Sequence, residues 1–173
     1  DPSAKPVTIE APLAFSFHQS NAYELPNGHV VIDVVCGPMA PLGLKRDTTK
    51  PIWEGLDYAR DVPTTELWRY TLDPMAGSLV SRRKLCGRPL DFPSINRAKS
   101  GLPHRYTYCS TGSTPAVDGE TAVSSPVQGV MKIDAGAGEG EGVRTDVWLP
   151  GAGEFCGEAV FVPREGAVEE DDG

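Results

Sequence analysis

Apolar and polar positions along this chain alternate in short runs, and the runs are closed by glycine, proline or asparagine. A period of two is the signature of a half-buried strand. Residues 14–17 and 22–24 form one such run and lead into the turn Pro26-Asn27-Gly28. Residues 29–36 follow it, rich in β-branched side chains and apolar on both faces, which predicts a central strand. Residues 67–72 alternate, turn through Asp73-Pro74-Met75-Ala76-Gly77 and return over 78–85, predicting a second hairpin. Residues 105–110, 127–134, 143–149 and 159–162 complete the set of expected strands. Helix signals are scarce, because 19 glycines and 16 prolines are spread along the chain and break most helical windows. Two long connections stand out. Residues 37–65 carry four prolines and one candidate helical turn over 51–60, and residues 111–126 are rich in Ser, Thr, Gly and Pro; both are expected to be disordered or exposed excursions. Short strands joined by tight turns predict an all-β meander, with sandwich, barrel and propeller equally open.

Length and charge narrow the partners. A chain of 173 residues can bury one ordinary core. Its net charge of −8 argues against nucleic acid, which demands a basic stripe. The acidic residues crowd the last third, where most read as solvated surface. The four cysteines, Cys36, Cys86, Cys109 and Cys156, form no CxxC pair, and are expected to be reduced and mostly buried, which suits an intracellular or organellar setting. No apolar stretch approaches the length of a membrane helix, and no cationic and apolar leader opens the chain. The glycine-rich run Gly136-Ala137-Gly138-Glu139-Gly140-Glu141-Gly142 does not fit a dinucleotide fingerprint, and its glutamates would repel a pyrophosphate; it reads as a solvated turn. Trp53, Trp68 and Trp148 are expected in the sheet core.

Three segments carry the chemistry. The first is Phe17-His18-Gln19-Ser20-Asn21-Ala22-Tyr23-Glu24, just before the first hairpin. The second is Asp91-Phe92-Pro93-Ser94-Ile95-Asn96, continuing to Pro103-His104-Arg105-Tyr106-Thr107-Tyr108. The third is Gly157-Glu158-Ala159-Val160-Phe161-Val162-Pro163-Arg164, ending in Glu169-Glu170-Asp171-Asp172-Gly173. Each resembles a motif of the carotenoid oxygenase family, which holds carotenoid cleavage dioxygenases and their retinoid-isomerase relatives, and the three follow the family's order.

The resemblance implies a seven-bladed β-propeller, of which this chain would hold about two to three blades. Residues 1–173 would then be part of one propeller domain, cut at both ends. It also implies that four neutral imidazoles hold one iron ion, Fe(2+), with positions left for O2. His18 would be one ligand, and the other three lie outside this chain. Family glutamates hydrogen-bond the far side of ligand histidines and orient them. Glu170 matches one of these. Asp91 stands where the family has another. It keeps the carboxylate on an arm one methylene shorter, so a direct bond, a water bridge and a lost contact are all open. His29 and His104 match no ligand position and are assigned to surface or packing. The implied activity is Fe(2+)-dependent oxidative cleavage of a conjugated double bond in a carotenoid or apocarotenoid. The partners are an apolar polyene and O2, with a peripheral membrane contact of the intact protein in the plastid or cytoplasm. The alternatives are a non-catalytic propeller relative or an inactive piece and, within the family, stilbene-type cleavage or retinoid isomerisation.

Overall fold

The computed structural model describes residues 5–38, 47–112, 125–136 and 143–173. Among them, eight strands build two four-stranded antiparallel sheets. The first sheet is β1 (Phe15–Glu24), β2 (Val30–Gly37), β3 (Glu66–Asp73) and β4 (Ser78–Cys86), in that spatial order. The second is β5 (Leu90–Ser94), β6 (Tyr106–Gly112), β7 (Val127–Asp134) and β8 (Arg144–Trp148), again in sequence order. Each sheet is therefore an up-and-down meander, the form of a propeller blade. Two one-turn helices, α1 (Ile52–Gly55) and α2 (Tyr58–Asp61), occupy the expected helical stretch of the first long connection. The loop readings over 39–46 and 113–124, and most of the glycine-rich turn, over 137–142, lie outside the described residues.

Local chemistry explains the hairpins. Gly28 takes a left-handed backbone (φ 84°), which only glycine adopts without strain. Its N–H donates to the Leu25 carbonyl at 2.9 Å, and the Leu25 N–H donates to His29 O at 2.8 Å, closing the β1–β2 turn. In the β3–β4 turn the Asp73 carboxylate accepts the N–H groups of Met75 and Ala76, both at 2.9 Å, while Gly77 takes φ 66°.

The core lies between the two sheets. Val35, Leu67, Leu85 and Cys86 from the first meet Leu90, Cys109, Met131, Ile133 and Ala135 from the second. Burying such side chains is the main stabilising term, about 1.5–3 kcal/mol for each large one. All four cysteines are free; Cys36, Cys86 and Cys109 are buried, and burial pushes the Cys86 and Cys109 thiols up, which keeps them unreactive.

Three expectations fail for physical reasons. β5 was not anticipated, because it is short and contains Pro93. It is an edge strand, where the missing N–H of proline costs no ladder bond, and it pairs irregularly with β6 between Asp91 and Ser94. Residues 159–162 form no strand: their apolar alternation suits a pleat, but no neighbouring strand pairs with them among the described residues, and Val160 and Val162 are exposed. Trp53 and Trp148 are not core residues. Trp53 stands on α1 out in the connection, Trp148 lies on the edge strand β8, and both are exposed.

Candidate metal centre

β1 carries two extra residues relative to β2. Ser16 pairs with Cys36 and His18 with Val35, so Phe17 is bulged out; Gln19 pairs with Val34 and Asn21 with Asp33, so Ser20 is bulged out. Between the bulges, His18 faces the second sheet. Its Nδ1 lies 2.7 Å from Asp91 Oδ1 on β5, a direct hydrogen bond between the two sheets. Asp91 thus reaches His18 without a bridging water, despite its short arm. The same Oδ1 accepts the Phe92 N–H at 2.8 Å.

Phe92 is the single non-glycine residue with positive φ (51°) among the described residues. Such a conformation costs on the order of 1–3 kcal/mol and persists where the surroundings impose it. Here the irregular β5, the Asp91 bond and the contact of the Phe92 ring with His18, 5.2 Å between centroids, hold it in place. Phe17 approaches the imidazole at 6.2 Å and Phe15 packs edge-on against Phe17 at 4.8 Å. The His18 ring therefore sits among aromatic rings.

A carboxylate accepts hydrogen bonds, so His18 Nδ1–H donates to Asp91, and in the neutral imidazole the lone pair then stands on Nε2. Nε2 makes no hydrogen bond among the described residues. A neutral imidazole with one nitrogen tied to a carboxylate and the other free is the form in which histidine binds metal. No cluster of three or more His, Cys, Asp or Glu side chains suited to a metal occurs among the described residues. These residues fit one corner of a metal site.

Glu170 sits elsewhere. Its Oε1 accepts the backbone N–H groups of Arg105 and Tyr106, both at 2.8 Å, and Asn96 Nδ2 donates to its carbonyl at 3.0 Å. It is tied to the start of β6, and no bond to His18 is present. Asp171 accepts from Tyr108 Oη at 2.6 Å and Lys132 Nζ at 2.8 Å. Burial works to raise the Asp171 carboxyl, but the Lys132 and Tyr108 bonds outweigh it and hold it below the usual range. The Tyr108 phenol is pushed up by burial and by the same bond. Glu170 and Asp171 are thus built into the second sheet and are not part of a solvated acidic run.

The other histidines take the packing and surface roles expected of them. His29 sits on the first hairpin beside Asn27, 3.2 Å away, and Asp73, 3.7 Å away. His104 is buried, with Nε2 3.2 Å from Asp33 Oδ2 and Nδ1 3.1 Å from Asn21 Nδ2. Asp33 is fully buried and takes two bonds from Arg69, both at 2.7 Å. Burial works to raise the Asp33 carboxyl, but bonds from Arg69 and His104 win and hold it low. Sequence reasoning missed this network. Its signal was an aspartate inside the β-branched run 30–35 of a central strand, which demands a buried cation; Arg69 stands directly opposite on β3.

The comparisons with known proteins agree with this architecture. The profile of the family described as retinal pigment epithelial membrane protein matches residues 2–173. The chain is 31% identical to the apocarotenoid-15,15'-oxygenase of Synechocystis sp. over 166 residues, covering 95% of this chain and 30% of that protein. It is 32% identical over 162 residues to the chromoplastic zeaxanthin 7,8(7',8')-cleavage dioxygenase of Crocus sativus, covering 90% of this chain and 37% of that one. The crystal structure of a cobalt-substituted Synechocystis apocarotenoid oxygenase superposes with a TM-score of 0.74 at 29% identity, over 95% of this chain and 30% of that one. The two sheets are blades of an all-β propeller of the kind found in these oxygenases. The chain belongs to the retinal pigment epithelial membrane protein family, that of the carotenoid cleavage oxygenases. It spans about 30% of the length of the curated relatives it matches.

Proposed function

We propose that the intact protein cleaves a conjugated double bond of a carotenoid or apocarotenoid with O2 at an iron(II) centre, and that this chain supplies one ligand of it, His18, with Asp91 behind it. Residues 1–173 are, in this reading, one stretch of a single propeller domain. The observation that carries the proposal is the 2.7 Å bond from His18 Nδ1 to Asp91 Oδ1, with no hydrogen bond to Nε2 among the described residues. Bound iron(II) would supply the binding and activation of dioxygen. The residues of this chain hold and orient one of its ligands. Asp91 accepts the Nδ1 proton and fixes the tautomer and the ring plane. The Phe17 and Phe92 rings flank the imidazole and offer an apolar surface suited to a polyene. Glu170 is assigned the role of Asp91 for a histidine on another blade, with its Oε1 anchored by two backbone N–H groups.

An apolar substrate implies loading from a membrane surface, and no helix among the described residues is long and apolar enough to cross a bilayer. The free thiols, three of them buried, suit a reducing compartment, the cytoplasm or a plastid. A direct His18–Asp91 bond weighs against the non-catalytic relative, whose half-buried carboxylate would have no ligand to orient. The test is His18→Ala in the full-length protein, with iron per polypeptide measured by atomic emission and cleavage followed by loss of polyene absorbance. Iron content and cleavage should both collapse; unchanged iron content overturns the assignment.

A further inference from the structure

The structure assigns to Asn21, backed by His104, the role of a positioning residue that locks the register of β1 and so sets where the His18 ring stands. This rests on the reading of His18 as a metal ligand.

In a regular strand, residues three apart point to opposite faces. His18 and Asn21 are three apart, yet both bond to the second half of the chain: His18 to Asp91, Asn21 to the 99–104 segment. The bulged Ser20 between them makes this geometry feasible, since it shifts the pleat by one residue. Among the described residues β1 is an edge strand that pairs with β2 alone, so its ladder bonds hold the bulge from one side only. Slipping by one residue would turn every side chain to the other face.

Asn21 resists that slip from the opposite side. Its side chain is buried. Oδ1 accepts the Gly101 N–H at 3.0 Å. Nδ2 faces Leu102 O at 3.0 Å, Lys99 O at 3.2 Å and His104 Nδ1 at 3.1 Å, so its two hydrogens are shared among three acceptors. His104 therefore accepts at Nδ1 and carries its proton on Nε2, which faces Asp33 Oδ2 at 3.2 Å and Thr107 Oγ1 at 3.3 Å. Asp33 is the β2 residue directly opposite Asn21 in the β1–β2 register. The bonds thus form a closed loop: Asn21 to the 99–104 turn, His104 to Asp33, and Asp33 across the ladder to Asn21. A slipped register would break every bond of Asn21 together with the His18–Asp91 bond.

The test uses the full-length protein, stripped of metal and reloaded with Co(II), whose ligand-field bands report coordination geometry. Asn21→Ala should weaken Co(II) binding by about 10–100-fold, the range for losing support of a ligand. It should also shift the bands at saturating metal. Asn21→Asp should do the same, because it keeps the acceptor for Gly101 but removes both donors. Asn21→Ser, milder for folding, should give an intermediate shift. Met131→Ala, in the core on β7, serves as the comparator for lost stability alone and should leave the bands unchanged. Wild-type bands and affinity in the Asn21 variants overturn the proposal, and so do equal changes in Met131→Ala at matched Tm. If His18→Ala leaves the cobalt bands unchanged, the ligand reading itself fails, and that outcome is distinct from the failure of Asn21 alone.

Discussion

At the scale of single residues, a carboxylate on a short arm replaces the longer one the motif led us to expect, and it still meets its histidine. Asp91 begins the irregular part of β5, and the left-handed Phe92 that follows returns its N–H to the same oxygen that His18 uses. Asp91→Ala should lower the iron affinity of the full-length protein by about 10–100-fold. Asp91→Glu, which keeps the charge, should retain most of it. Competition with a chelator measures both; an Asp91→Ala protein with unaltered affinity would remove this residue from the centre. The Asp33 carboxyl gives a pH prediction. Its folded value lies below its ordinary value of about 3.9. The stability it contributes is fully present above that ordinary value and is lost as the pH falls through the lower folded value. Asp134 and Asp171 are held low as well, so they act with the same sign. Asp33→Asn should therefore make the acid limb of a Tm-against-pH curve shallower without abolishing it.

At the scale of elements, glycines decide how tightly strands turn and approach. Gly28 and Gly129 make contrasting cases. A Cβ at Gly28 meets nothing within 4 Å, so Gly28→Ala is opposed only by its φ of 84°, at about 1–2 kcal/mol. A Cβ at Gly129 would lie 2.6 Å from Leu149 Cδ2 and would collide with the Trp148 carbonyl, so the β8 backbone must move. Gly129→Ala should lower Tm more than Gly28→Ala does; the reverse order would mean that β8 is not held against β7 as described. The same dependence on neighbours explains the segment 159–162, whose alternating side chains lack a strand to pair with. Phe161 instead stacks on Tyr108, 5.4 Å between ring centroids.

At the scale of the whole molecule, the two blades share one core but leave their far sides open. β1 and β8 are edge strands, and Val147, Trp148, Leu149, Phe155, Val160, Val162 and Val168 are exposed on β8 and the segment after it. Unpaired edges and contiguous apolar surface drive association. Residues 1–173 expressed alone should self-associate and bind a hydrophobic dye, and should bind iron(II) weakly, because one imidazole is a poor metal site. Light scattering across a concentration series checks the first point. A monodisperse monomer at high concentration would show that these surfaces need no covering.

Most of the strands, their turns and the antiparallel meander were legible in the sequence because they depend on neighbours a few residues apart; β5 and the division into two sheets were not. Alternation at 67–72 and the Pro-Asn-Gly and Asp-Pro turns specify pleat and reversal wherever they occur. His18, Asp91 and Glu170 were legible only as matches to motifs. Their contacts were not, since His18 and Asp91 lie 73 residues apart and meet through the packing of one sheet on the other. Glu170, named by its motif for a histidine, is seen here gripping the start of β6. Asn21 and His104 lay inside two of the quoted motifs, yet nothing local joins them: a bulge of one residue and the burial of Asp33 bring them together. Local sequence determined what each segment could become. Tertiary packing decided which polar groups were buried together, and a buried polar group must find its partner in whatever the fold places beside it.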